Sequence, residues 1–326
     1  MAGGDPGLTP RVLVTHRLPA GADTALDPSW EVWPGTGAMP REELLGAVAE
    51  VEGLLCMLVD SIDAELIAAA PKLRAISQMA VGVDNVDLAA ATAAGIPVGH
   101  TPGVLTETTA DSAFALLAAV TRRLVEGRDD LVAGAVGEWD PDYLLGGDLW
   151  NTSLGIVGMG RIGQAVARRG ALGFGMEILY TSRSRKELPF PAEHVTLDEL
   201  LGRADHVVVA AALTRETRHM IDAGALRRMR DGATLVNIAR GGLIDHDALT
   251  DEARRGRLRI ALDVTEPEPL PASHPLLRLP NVLVTPHLGS ASVSTRRAMA
   301  QMAIDNLEAA LAGRKMPACA NPEVYR

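Results

Sequence analysis

Three short segments of this 326-residue chain carry side chains that can bind an anion or move a proton. The first, Asn237-Ile-Ala-Arg-Gly-Gly242, sets Arg240 after an apolar run and before two glycines. A planar guanidinium at such a turn can project into a cleft and grip a carboxylate through two parallel bonds. An ordinary surface arginine is the bland alternative. The second, Leu262-Asp-Val-Thr-Glu-Pro-Glu-Pro269, crowds Asp263, Glu266 and Glu268 into a loop stiffened by prolines. An acidic loop is usually just solvated, but a carboxylate fixed there could orient a histidine. The third, Val284-Thr-Pro-His-Leu-Gly-Ser290, holds His287, the side-chain type best poised for proton transfer near neutral pH. A lone histidine after a strand is more often structural than catalytic. The argument rests on all three segments following strands, at the edge where open α/β sheets bind ligands.

A fourth segment, Leu154-Gly-Ile-Val-Gly-Met-Gly-Arg-Ile-Gly163, reads as a buried strand, a glycine turn and the start of a helix. Gly158, Gly160 and Gly163 have the spacing of a dinucleotide turn. The first glycine makes the bend, the second lets backbone approach a pyrophosphate, and the third lets helix and strand pack closely. The helix N-terminus adds free N–H groups for the phosphates. A second strand is expected over residues 176–181. An NAD site usually ends that strand with an acid that bonds the ribose hydroxyls. Here the position is Ser182, followed by Arg183, Ser184 and Arg185. A missing acid and two guanidiniums favour a 2′-phosphate, so NADPH (and NADP+) is the expected cofactor, with NADH the alternative.

The elements that position these residues alternate. Strands are expected over residues 11–16, 53–59, 74–81 and 96–100, with helices over 40–50, 62–70 and 89–94. Ser61 is the expected cap of the second of these helices, with Glu65 in a capping box. One long helix is expected from about 106 to 128. A second series has strands at 154–157, 176–181, 206–211, 234–238, 259–264 and 281–285, followed by a helix over 292–312. The alternation predicts α/β architecture with two doubly wound parallel sheets. The last helix has no strand after it, so it is expected to return to the first domain and make it discontinuous. The stretch 137–150 holds two of the four tryptophans and one of the three tyrosines, suited either to a subunit interface or to a loop folded on its own domain.

Composition limits the partners. A net charge of −10, from 31 basic and 41 acidic residues, argues against nucleic acid and against anionic membrane surfaces. The longest apolar run, 113–120, is too short to span a bilayer. Cys56 and Cys319 form neither a disulfide framework nor a metal-type cluster, and no metal is expected. Residues 1–10 read as a loose tail without a signal peptide, so a reducing, cytoplasmic location is expected.

Taken together, the motifs resemble the D-isomer-specific 2-hydroxyacid dehydrogenases. The matching residues are Val81-Gly-Val-Asp-Asn-Val-Asp87, Gly158 to Gly163, Asn237 to Gly242, Leu262 to Pro269 and Pro286-His-Leu-Gly-Ser290, in the family's order and spacing. Within the family the chain is most similar to glyoxylate/hydroxypyruvate reductases, through Thr101-Pro-Gly-Val-Leu-Thr-Glu-Thr-Thr109 and Asp263-Val-Thr-Glu-Pro-Glu-Pro-Leu-Pro271.

The resemblance implies two Rossmann-like domains. One is a flavodoxin-like substrate domain of residues 1–102 and 290–326. The other is a dinucleotide-binding domain of residues 103–289, with a dimerisation segment at about 103–150 and a homodimer as the assembly. It implies Arg240, Glu268 and His287 as catalytic residues, with Glu268 favouring the charged form of His287. Val81 and Gly82 would grip the substrate carboxylate with Arg240 and His287. Ser290 and Leu58 join the substrate contacts, and Tyr143 of a neighbouring subunit is a further candidate for the pocket wall. Cofactor contacts would fall on Gly158, Gly160, Arg161, Ile162, Gly163, Ser182, Arg183, Ser184, Arg185, Ala212, Ile238, Asp263 and Gly289. Asp263 takes the carboxamide, and Ala212 stands where many members have proline.

The implied reaction is hydride transfer to glyoxylate, hydroxypyruvate or another small 2-keto acid. It gives the 2-hydroxy acid, glycolate or D-glycerate. Another D-2-hydroxyacid or phosphoglycerate dehydrogenase is the alternative enzyme. A nucleotide-sensing protein resembling the family's transcriptional corepressors is the alternative of a different class.

Overall fold

Short aliphatic runs separated by helices build two parallel sheets, each at the centre of its own unit. The structure, a computed structural model, describes residues 11–19, 21–22 and 25–326. The expected loose tail, residues 1–10, lies outside the described residues. One unit comprises Met1–Leu105 and Ser292–Arg326, and the other Thr106–Ala291.

The first unit contains β1 (Val12–Val14), β2 (Glu31–Val32), α1 (Arg41–Val48), β3 (Gly53–Cys56), α2 (Ala64–Ala68), β4 (Ala75–Gln78), α3 (Leu88–Ala93) and β5 (Val98–Gly99). The sheet order is β2-β1-β3-β4-β5, all parallel. Strands β1, β3 and β4 are buried on both faces, as helix-covered parallel strands must be. One face packs Leu13, Leu54, Ile76 and Val98 against Leu44, Val48, Leu66 and Ala91 of the helices. The closing helix, Val293–Leu311, belongs to this unit. Ser77 donates its hydroxyl proton to the Ala303 carbonyl of that helix at 2.7 Å. Asn321, fully buried, stitches the chain's end to β5. Its Oδ1 accepts from Val98 N–H at 2.8 Å and its Nδ2 donates to the Ile96 carbonyl at 3.0 Å.

Two expectations fail here for identifiable reasons. The cap of α2 is Asp63, whose carboxylate accepts from Leu66 N–H, and not Ser61. Ile62 cannot be helical, because it forms a parallel bridge with Val86 and exchanges backbone bonds with Asn85 and Asp87. Strand β2 has two residues, too few to show any periodicity.

The second unit contains α4 (Thr106–Thr121), α5 (Leu124–Ala133), β6 (Ser153–Val157), α6 (Arg161–Phe174), β7 (Glu177–Thr181), β8 (Glu193–His194), α7 (Leu197–Arg203), β9 (His206–Val209), α8 (Ala223–Arg228), β10 (Thr234–Asn237), α9 (His246–Arg254), β11 (Arg259–Leu262) and β12 (Val282–Val284). The order is β12-β11-β10-β9-β6-β7-β8, parallel throughout. The strand order reverses at β6, the topological switch point where this architecture binds ligands. Side-chain alternation divides the core. Leu154, Ile156, Ile178, Val208 and Val236 pack on the α4 and α6 side. Val157, Leu179, Val207, Val209 and Leu235 face α7, α8 and α9. The expected six strands are joined by β8, a two-residue edge strand without a sequence signal.

The helix expected over 106–128 is broken. Arg123 turns left-handed, with φ of 53°. The Thr121 carbonyl accepts from Gly147 N–H at 3.0 Å. A Cβ on Gly146 would sit 2.5 Å from that same carbonyl oxygen. A returning segment thus ends α4, and α5 starts afresh. Within the chain α5 buries none of its residues. In the aromatic stretch Trp139 is 86% exposed and Trp150 71%, while Leu149 joins the core of the same unit.

Replacing Asn321 by Ala strands the Val98 N–H and the Ile96 carbonyl in the interior. We expect a loss of roughly 2–4 kcal/mol of stability, read from urea unfolding. An unchanged midpoint would show that these bonds do not hold the chain's end.

Candidate active site

The glycine turn after β6 has three different environments. Gly158 has φ of 100°, and a Cβ there would lie 2.6 Å from the Ala211 backbone. A Cβ on Gly163 would strike the Gly158 carbonyl oxygen. These two glycines are required by packing. Gly160 caps α6 without a side-chain bond, and a Cβ added there would meet nothing within 4 Å. The open space therefore lies where a helix N-terminus offers its N–H groups, which fits a pyrophosphate. Arg161 is exposed and Ile162 half-buried at the start of α6.

At the end of β7, Ser182 donates its hydroxyl proton to the Ser184 carbonyl at 2.7 Å, curling the turn. The Ser182 carbonyl is also within 3.0 Å of His194 Nε2. Arg183, Ser184 and Arg185 are exposed along this turn. Ala212 is exposed after β9, and its carbonyl accepts from the Thr217 hydroxyl. Ile238, at the end of β10, is buried.

The chemistry-bearing residues of this unit gather at the C-terminal ends of β10, β11 and β12. Asn237, the last residue of β10, is fully buried and folds the next turn over itself. Its Nδ2 donates to the Arg240 carbonyl at 2.8 Å, and its Oδ1 accepts from Ala239 N–H at 3.1 Å. Arg240 is half-buried, with its Nη1 donating to the Ala239 carbonyl. Gly241 then packs against the acidic loop. A Cβ on it would strike the Thr265 carbonyl and lie 2.6 Å from Glu266 N. The arginine turn and the acidic loop are thereby pressed together.

Asp263 follows β11 and is only 2% exposed. A buried carboxylate must be hydrogen-bonded. Its Oδ1 accepts from the Thr285 hydroxyl at 2.7 Å and from Leu288 N–H at 2.7 Å. Its Oδ2 accepts from Gly289 N–H at 2.7 Å. The Asp263 carbonyl accepts from His287 N–H at 2.9 Å. The segment after β12 is thus wrapped round one acid. It holds His287 left-handed, with φ of 57°, a conformation costing about 1–2 kcal/mol in a non-glycine residue.

The two acids further along the loop separate by partner. Glu268 Oε1 lies 2.6 Å from His287 Nδ1. Glu266 instead pairs with Arg218 at 2.8 Å and with His219 at 3.5 Å. The Arg218 guanidinium holds the Glu266 carboxyl below its ordinary range. The His287 side chain is 24% exposed and that of Glu268 32%, so the pair is reachable from solvent. With Nδ1–H donating to Glu268, the imidazole presents Nε2 as the atom that can exchange a proton. Ser290 is buried at the end of this segment.

In the first unit, Val81 and Gly82 form the turn after β4. The Gly82 carbonyl accepts from Gln78 Nε2, and the Val81 carbonyl lies 3.0 Å from His100 Nδ1. Leu58 is half-buried, in the loop after β3. Among the described residues, no group of three or more His, Cys, Asp or Glu could hold a metal, and no helix is long and apolar enough to cross a membrane.

Residue type alone did not single out Asn237, Thr285, Arg218 or His246 as parts of this site. A buried asparagine at a strand end was the one available signal, and its partners are visible only in the fold. Gly241→Ala should push the acidic loop away, lengthen the Glu268–His287 contact and lower the melting temperature. A crystal structure of the variant with that contact unmoved would refute the packing argument.

Comparison with known proteins agrees with this geometry. A family model described as D-isomer specific 2-hydroxyacid dehydrogenase, NAD binding domain, matches residues 114–289. The chain is 45% identical to a glyoxylate reductase of Korarchaeum cryptofilum, over 98% of each chain. A crystal structure of a Thermus thermophilus protein superposes with a TM-score of 0.88 at 48% identity, covering 95% of this chain and 99% of that one. The NADPH-dependent glyoxylate/hydroxypyruvate reductase of Sinorhizobium meliloti, in complex with NADP and malonate, superposes with a TM-score of 0.82 at 31% identity, covering 95% and 96%. With its switch-point glycine turn and its histidine–carboxylate pair on one sheet, the chain belongs to the D-isomer specific 2-hydroxyacid dehydrogenases and is an NAD(P)-dependent oxidoreductase of that family.

Proposed function

We propose that the protein is an NADPH-preferring reductase of small 2-keto acids, converting glyoxylate to glycolate and hydroxypyruvate to D-glycerate. The observation that carries this reading is the 2.6 Å contact between Glu268 and His287, on the same sheet edge as Arg240. The names of the relatives support the substrate class, since several are glyoxylate reductases.

In this reading Arg240 binds the substrate carboxylate and turns the keto carbon toward the nicotinamide. His287, protonated, gives its Nε2 proton to the carbonyl oxygen. Glu268 accepts from Nδ1–H and keeps the ring in that orientation. The bound nicotinamide supplies the hydride. Val81 and Gly82 offer backbone N–H groups to the carboxylate, while Leu58 and Ser290 bound the substrate. A carboxylate has about four lone-pair sites. Asp263 uses three of them within the loop, which leaves one acceptor for a carboxamide N–H. Ile238, Ala212 and Gly289 lie along the same strand ends and complete the cofactor contacts.

The cofactor preference rests on the turn after β7. Ser182 replaces an acid that would repel a 2′-phosphate, and Arg183 and Arg185 supply charge. The NADPH-dependent enzyme of Sinorhizobium meliloti supports the same choice. Residues 1–102 and 290–326 serve as the substrate domain, and residues 103–289 as the cofactor domain. Homodimerisation through residues 103–150 would cover the exposed Leu131 and Val132 of α5, Trp139 and Trp150. Two cysteines that form no disulfide fit action in the cytoplasm.

His287→Ala should lower kcat by about 10²–10⁴-fold while leaving NADPH binding, measured by fluorescence titration, nearly unchanged. Retained turnover would remove His287 from the mechanism. Ser182→Asp should shift the NADPH-to-NADH ratio of kcat/KM toward NADH by about tenfold or more. A wild-type enzyme that already prefers NADH would overturn the cofactor assignment.

A further inference from the structure

We propose that His246 is a positioning residue for the Glu268–His287 pair, anchoring the acidic loop through its neutral imidazole. The proposal rests on the reading that this pair transfers the proton. His246 is the first residue of α9, directly after the cap Asp245. Its Nε2 accepts from Glu266 N–H at 3.2 Å. Its Nδ1 is 3.2 Å from the Ile244 carbonyl, to which it donates. Both ring nitrogens are therefore used, and only one neutral tautomer satisfies both.

The anchored amide is critically placed. Gly241 packs against the Thr265–Glu266 peptide that carries this N–H, and only Pro267 separates Glu266 from Glu268. The Thr265 hydroxyl donates to the Pro267 carbonyl at 2.8 Å, tightening the same turn. On its far side the loop is held by Arg218 and His219 through the Glu266 carboxylate. His246 supplies the hold on the backbone itself.

Protonation would reverse that hold. An imidazolium has no acceptor, so its Nε2–H would face the Glu266 N–H, donor against donor. The groups around His246 act in both directions. Burial, the strongest, disfavours its charge, and His274 and His219 also oppose it, while the Glu266 carboxylate and the Ile244 carbonyl favour it. Asp245 and Asp247 lie on its own helix, where Asp245 is occupied with the amides of Asp247 and Ala248. The N-terminal end of α9 further disfavours a cation. The balance lowers the His246 pKa below the ordinary histidine value. The anchoring form thus predominates at and above that ordinary value, and is lost as pH falls through the lowered one. In keto-acid reduction the protonated His287 is the competent form. A fall in kcat on the acid side that a non-titrating residue at position 246 abolishes is carried by His246.

The test compares wild type with His246→Gln and His246→Leu. Glutamine can accept the Glu266 N–H and does not titrate. Leucine cannot accept it. We expect wild-type kcat for glyoxylate to fall on acidification and the His246→Gln profile to stay level over the same range. His246→Leu should have kcat lowered at least about tenfold at every pH. Hydrogen exchange of residues 264–269, compared between proteins at each pH, reads the anchor without turnover. Wild type should gain exchange relative to His246→Gln as pH falls. Superimposable kcat profiles of wild type and His246→Gln would overturn the proposal, as would equal exchange in the two proteins. If no keto acid is reduced by wild type, the proposed activity fails while the exchange measurement still decides the anchor.

Discussion

The Asp263 carboxylate is the constraint on which the active edge depends. It is a charge taken out of water, and its three short bonds to Thr285, Leu288 and Gly289 make it tolerable there. Those bonds wrap the segment after β12 round the end of β11. The backbone of Asp263 extends the lashing both ways, since its N–H donates to the Asn237 carbonyl and its carbonyl accepts from His287. The ends of three neighbouring strands thus become one rigid corner. A left-handed histidine is affordable only because that corner fixes it.

Around this corner, small residues and polar anchors set the remaining geometry. Gly241 allows the arginine turn to touch the acidic loop, and no side chain would fit between them. Glu266 and Glu268 have the same chemistry two positions apart, yet their partners differ. Arg218 and His219 take the first and His287 takes the second. One acid holds the loop in place, and the other faces His287. The same division applies to the glycine turn, where Gly158 and Gly163 satisfy packing and Gly160 leaves space.

Much of this was legible in the chain because it is local. The glycine spacing lies within ten residues, and Arg240, Glu268 and His287 each follow a strand that aliphatic runs make plain. What escaped depends on partners distant in sequence. The break at Arg123 is set by Gly146 and Gly147 taking the end of α4. The shift of the α2 cap from Ser61 to Asp63 follows from the bridge between Ile62 and Val86. Asp263 was expected to contact cofactor, and a carboxylate of its loop to orient a histidine; that Asp263 itself holds the backbone of the histidine segment depends on Leu288 and Gly289, distant in sequence. His246 carries no signal in the sequence, since its acceptor role exists only once Glu266 is brought to it.

The proposed reduction of a small 2-keto acid at this corner has one handedness. Incubating the protein with hydroxypyruvate and NADPH, and resolving the enantiomers of the glycerate formed by chiral chromatography, tests it directly. We expect D-glycerate, formed with matching oxidation of NADPH. L-Glycerate, or no glycerate with NADPH left intact, would contradict it.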